Sequence, residues 1–250
     1  MNKKIIQLII LSICILSNYK CQSQIKKSKN SKKEINNEIK YQAKRDSILL
    51  QADYGSVYLT YDTTAISYDY LNPKEIDSNI FKTDLLNISK YIKESNNIKL
   101  KHFKNDLVNT NWSSLYWFNN NFCLYGPSDW MENTPILITD SIIYYLNSDP
   151  MLDIVIDFSK TENNHYEFSV KNYNGKTENI IIEIIDTKKG IAIWEYRDEN
   201  NLTINKALKV KSEFVKLFPI IICDCGDSKC VFEKTNYFEK PDFEKLKNKL

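Results

Sequence analysis

From Trp112 to Val210 the side chains change character at every second position. A helix repeats its apolar positions every 3.6 residues, so this tract cannot be a bundle and must be a pleated sheet with two unlike faces. "LDIVIDFS" sets Leu152, Ile154, Ile156 and Phe158 against Asp153, Val155, Asp157 and Ser159. "HYEFSVKN" sets Tyr166, Phe168 and Val170 against His165, Glu167 and Ser169, and "LTINKALKV" puts Leu202, Ile204, Leu208 and Val210 on one face. Turn signals stand between the runs: "NSDP" at 147, "TENN" at 161, "NG" at 174, "TKKG" at 187 and "DENN" at 198. Asn174-Gly175 is the strongest, since a type I′ turn needs φ > 0 at both central residues.

The pattern predicts strands over 112–118, 136–146, 151–160, 165–173, 178–186, 191–197, 202–211, 213–224 and 230–237, eight or nine in series. An antiparallel meander of that size closes into a barrel or folds into a sandwich, because an open sheet leaves unpaired edges. Only five glycines are available, so asparagine is expected at many turns. "NIIIEIID" is apolar on both faces and calls for an outer cover. The predicted cover is a helix over 73–95, with Asn72 as N-cap, Pro73 at the first position and Glu75 behind it. Ile80, Phe81, Leu85, Ile88 and Ile92 form its apolar stripe, and Asn96-Asn97 stop it. Residues 54–68 read as a strand or hairpin. The fold class expected is mainly β (α+β): a barrel or sandwich with an N-terminal helix packed on it.

The chain opens with Lys3 and Lys4, then a thirteen-residue apolar run from Ile5 to Ser17. As a helix that run covers about 20 Å, short of the roughly 30 Å hydrocarbon core, and fits an export signal. Cleavage after Ser23 suits the small residues there, while Cys14 and Cys21 are the alternatives for a lipid-modified start. The expected organisation is a signal over 1–23, a basic tether over 24–50, a helical layer over 51–107, the β domain over 108–240 and a tail over 241–250. The leader carries +3 and residues 24–46 carry +5, against +2 for the whole chain, which leaves −6 on the rest. A folded body of that sign offers no basic face for nucleic acid. The tether reads as a solvated spacer, with attraction to an anionic membrane surface as the alternative.

Cysteine chemistry follows from the expected export. In "IICDCGDSKC" a four-residue loop separates Cys225 from Cys230, which sets them opposite each other as a disulfide and leaves Cys223 to the distant Cys123. A metal reading has only C-x-C-x4-C and two remote histidines, His102 and His165, and a redox reading lacks C-x-x-C. No cofactor or metal is expected. No G-x-S-x-G elbow, Walker loop, dinucleotide glycine pattern, H-E-x-x-H or EF-hand loop occurs. Asp153 and Asp157 share a predicted strand face about 13 Å apart, too far for a glycosidase pair, and are read as solvent-facing.

Trp112 and Trp117 lie an odd interval apart, so one lines whatever the sheet encloses and the other packs under the helix. A Trp on the opening strand followed by about eight antiparallel strands resembles a lipocalin-type barrel. The family's Gly-x-Trp motif is only partly present, since Thr110 stands where the glycine would be. The resemblance spans residues 108 to 237 and implies a cup for one small apolar ligand, with Trp112 closing its base. The expected function is therefore an exported, non-enzymatic envelope domain that binds such a ligand. Trp112, Trp117, Tyr125, Trp130 and Trp194 are the candidate contacts. The alternative partner is another envelope protein, met by a filled domain through an aromatic patch at "LYGPSDWM". A hydrolase is the third class and needs two carboxylates brought together, such as Asp129 with Glu132.

Overall fold

The computed structural model describes residues 47–52, 55–71, 86–87, 90, 100–127, 135–146, 151–162, 164–172, 174–225 and 238–249. In chain order these contain β1 (Ser47–Ala52), β2 (Gly55–Thr60), α1 (Ser67–Leu71), β3 (Thr110–Phe118), β4 (Asn121–Gly126), β5 (Ile136–Ile138) and β6 (Ile142–Tyr145). There follow β7 (Met151–Glu162), β8 (His165–Lys171), β9 (Thr177–Asp186), β10 (Ile191–Arg197), β11 (Thr203–Lys211), a 3-10 helix (Ser212–Leu217), β12 (Ile220–Cys225) and α2 (Phe243–Lys249).

The alternating tract folds as a closed antiparallel barrel of eight strands. From β5 each strand pairs with the next through to β11, β11 pairs with β3, and β3 pairs back onto β5. Thr110 opposite Ile138, Asn111 opposite Leu137 and Trp112 opposite Ile136 make the closing seam. Closure removes the free edges that a meander of this length would otherwise present. The last residues of β3 leave the ring and pair with β4. β4 continues through a parallel contact with β12 to β2 and β1, forming a second sheet.

Two cores lie back to back across the β3–β11–β10 wall. Inside the barrel are Leu107, Trp112, Ile136, Ile138, Ile143, Val155, Tyr166, Phe168, Val170, Ile180, Ile182, Ala192 and Trp194. On the outer face Leu115, Ile191, Ile193, Leu208 and Val210 pack under Tyr68 and Leu71 of α1, Val215 of the 3-10 helix and Leu246 of α2. The Tyr68 hydroxyl donates to the Phe218 carbonyl and ties α1 to the end of the 3-10 helix, while the Ser113 hydroxyl donates to the Leu71 carbonyl and pins α1 to the wall. Cover for the two-faced β9 comes in part from α2, where Lys247 holds Glu183 at 2.6 Å. Of the helix expected over 73–95, residues 86, 87 and 90 are helical and the rest lies outside the described residues.

Several expectations need correction. The apolar face of β11 points outward: Leu208 and Val210 belong to the outer core, while Ala207, Lys209 and Lys211 face the barrel interior. A covered outer wall, invisible to a strand-by-strand reading, reverses the usual inside-apolar rule there. In β7 a bulge between Val155 and Asp157 shifts the pattern by one residue. It turns Asp153 inward and buried and leaves Asp157 exposed on the other face, so the two do not share a face. The strand expected over 136–146 is broken in two, because the Thr139 side chain bonds both the N–H and the carbonyl of Ile142. The first half of 213–224 is the 3-10 helix, ended before Pro219. β4 was not expected at all, and the strand over 230–237 lies outside the described residues.

Turn chemistry follows the shortage of glycine. All non-glycine residues with positive φ among the described residues are asparagines: Asn109, Asn119, Asn120, Asn164 and Asn201. At Asn174-Gly175 only the glycine has positive φ, and Asn172 organises the turn through its side chain. The turn is not the type I′ that the dipeptide suggests.

Candidate functional site

The barrel interior concentrates the chemistry. Its centre is aromatic: Trp112 and Trp194 meet edge to face with centroids 5.6 Å apart, and Trp194 leans on Tyr196 at 6.3 Å. Both indoles are fully buried. The Trp112 N–H donates to Thr110 Oγ1 at 2.9 Å, and that hydroxyl donates to the Leu107 carbonyl. Thr110, standing at the glycine position of the Gly-x-Trp pattern, is thus the acceptor that satisfies the tryptophan. The Lys211 ammonium lies 5.9 Å from the same ring. With Leu107 it closes one end of the barrel, where Lys160 also binds Asp106. The Trp194 N–H, by contrast, is buried with no acceptor. An orphaned donor of this kind costs about 1–3 kcal/mol, which an acceptor brought in from outside the chain would recover.

At the opposite end the interior becomes polar. Tyr145 ends β6, Glu178 opens β9, Tyr196 nears the end of β10, and Asp153 sits near the start of β7. The Tyr145 hydroxyl donates to Asp153 Oδ2 at 2.8 Å, and Glu178 Oε1 accepts from Asn172. Burial raises the Asp153 carboxyl to about 6, against the opposing Tyr145 hydrogen bond and with help from the Glu178 charge. Burial raises the Tyr196 phenol too, and Asp153 adds to the effect. Asp153 therefore changes charge just below neutrality inside an aromatic barrel. Further down, Lys209, 8 % exposed, donates to Ser114 Oγ at 3.0 Å.

Of the expected contact residues that the structure describes, the fold brings together Trp112 and Trp194. Trp117 faces the outer core and packs on Phe122 at 4.9 Å. Tyr125 lies in the second sheet with Cys123 and Ile221, because the end of β3 has already left the ring where the chain turns at Asn119-Asn120 into β4. Neither lines the barrel interior. Trp130 lies outside the described residues, as do Asp129 and Glu132. Sequence reasoning missed Tyr145, Tyr196, Glu178 and Lys209, and it placed Asp153 on the solvent side where the structure buries it.

The expected Cys123–Cys223 disulfide is absent. β4 and β12 run parallel with Ile220 beside Leu124, so Cys223 lies four residues beyond the position next to Cys123. That offset is about 13 Å, where a disulfide needs Cα atoms within about 7 Å. Both side chains are buried in one cluster, separated by Tyr125 and Ile221. The Cys225–Cys230 pairing lies outside the described residues. Among the described residues no three His, Cys, Asp or Glu side chains gather as a metal site.

No protein-family model, no curated protein and no solved structure matches this chain.

Proposed function

We propose that the chain is an exported, non-enzymatic barrel domain of the cell envelope that binds one small, mainly apolar molecule in the lipocalin manner. The basic stretch over 24–50 serves as its tether. The observation that carries the reading is the orphaned Trp194 N–H, a buried donor amid aromatic rings and inside a closed barrel. The ligand supplies an acceptor for that donor and lays an aromatic or alicyclic body on Trp112 and Trp194. An amine or hydroxyl on it meets Asp153 at the polar end. The apolar side chains Met151 and Leu202, 40 % and 65 % exposed, support entry at that end.

Titration with 1-aminoanthracene, an aromatic body bearing one amine, tests the reading. The expected result is a saturable, one-to-one rise in probe fluorescence. It should disappear in Ala207→Trp, which fills the interior opposite Trp194. A rise that never saturates, or that survives this substitution, refutes interior binding.

A second reading is a protein-docking domain. It is favoured by Tyr61, Ile66 and Tyr70, each more than half exposed on or beside α1. It predicts that Ile66→Asp and Tyr70→Asp abolish cross-linking to an envelope protein while leaving probe binding intact.

A further inference from the structure

The polar end of the barrel lies on its shortest strands. β5 has three residues and β6 four, against twelve in β7, seven in β8 and ten in β9. Short ladders open at a lower free energy than long ones, since fewer hydrogen bonds and packed side chains are lost together. The β6–β7 ladder runs from Ile142 opposite Ile154 to Tyr145 opposite Met151. At the rim the Leu146 N–H donates to the Pro135 carbonyl at 2.9 Å and ends the β5–β6 pairing.

Asp153 stands within this short ladder, opposite Ile143, and faces the interior. The groups that meet it are neutral or negative. β6 supplies the Tyr145 hydroxyl at 2.8 Å, β8 the apolar Val170, and β10 the Tyr196 phenol. β9 supplies Glu178, whose Oε1 accepts from Asn172 at 2.7 Å. The inward lysines of β11, Lys209 and Lys211, stand lower in the barrel opposite Ser114 and Trp112, and Arg197 is bound to Glu195 at 2.6 Å. An ionised Asp153 thus has one hydrogen bond and one like charge beside it. Burial and the Glu178 charge keep its proton on up to about 6, where water would take it near 3.8. Any opening that lets water reach the carboxylate therefore becomes easier as pH rises through that interval, and levels off above it.

We infer that this end of the barrel is a proton-operated gate: protonated Asp153 keeps the Tyr145 end of β6 zipped to β7, and ionised Asp153 favours its opening to solvent. The long β7–β10 wall stays paired in both states. The gate works the same way whatever molecule the interior takes.

Amide exchange followed by NMR, corrected for the intrinsic effect of pH, tests the gate. The Leu146 N–H at the rim is expected to open roughly twentyfold more at pH 7.5 than at pH 4.5, from proton release between 3.8 and about 6. The Ile184 N–H, bonded to the Asn164 carbonyl at the far end, should change less than about threefold. Asp153→Asn should hold Leu146 at its low-pH protection throughout. Glu178→Gln keeps an acceptor for Asn172 but removes the like charge, and should shrink the response without abolishing it. A Leu146 response that is absent, matched at Ile184, retained in Asp153→Asn or undiminished in Glu178→Gln would overturn the inference.

Discussion

The Tyr145 hydroxyl donates to the Asp153 carboxylate at 2.8 Å inside the barrel, where the carboxylate is 8 % exposed. One hydrogen bond is a thin substitute for bulk water, so the folded protein holds the Asp153 proton up to about pH 6. The unfolded chain releases it near 3.8. Between those values the native state binds more protons than the unfolded state. Stability from this group is therefore complete below about pH 4, falls as pH rises toward 6, and stays lost above it.

Asp153→Asn keeps an oxygen for Tyr145 and removes the charge. It is expected to raise stability at pH 7.5 by up to about 3 kcal/mol, from the roughly two-unit difference, and to match the wild type near pH 3.5. Urea melts at the two pH values check both halves. A variant less stable than wild type at pH 7.5 would contradict the burial described.

Glu195 shows the opposite sign. Burial alone would raise its carboxyl, but hydrogen bonds from Arg197, Thr203 and Lys206 outweigh that and hold it at about 2. Its contribution is present above about pH 4.5 and is lost as pH falls toward 2. Glu195→Gln should cost about 1–3 kcal/mol at pH 7 and almost nothing at pH 2, again by urea melts.

Trp194→Phe removes the orphaned N–H and keeps most of the ring. It is expected to change stability by less than about 1 kcal/mol, because the lost ring area is offset by relief of an unsatisfied donor. Trp194→Ala should cost about 3–5 kcal/mol through the cavity it leaves. Thermal melts of the pair separate the packing role of the ring from that of its nitrogen.

Cys123 is pushed up to about 12 by burial and remains a thiol at any physiological pH. Iodoacetamide is expected to label it only after unfolding, and the intact mass should show no Cys123–Cys223 bond. Native labelling within minutes, or that crosslink on a peptide map, would count against the β4–β12 register.

What the sequence disclosed and what it withheld have separable physical causes. The barrel strands were readable where period two survives in side-chain identity, as in His165–Lys171. Sides were not readable where a second layer covers the sheet. On β11 the outer cover accepts Leu208 and Val210, and the lysines Lys209 and Lys211 turn inward. The bulge after Val155 is a one-residue event with no composition of its own, and it alone decides that Asp153 is interior. Parity set Trp112 and Trp117 on opposite faces without saying which was inside; only the barrel resemblance put Trp112 there, and its tie to Thr110 looked like a broken motif. β4 escaped notice because Asn119-Asn120 takes the role that Asn-Gly signals elsewhere.

The most direct test of the central claim, that the barrel interior is the binding site, is the indole N–H resonance of Trp194, assigned through Trp194→Phe. On saturation with 1-aminoanthracene this resonance is predicted to shift more than those of Trp112 and Trp117 and to exchange more slowly with solvent. A Trp194 signal that stays in place while Trp117, on the outer face, responds would contradict the account.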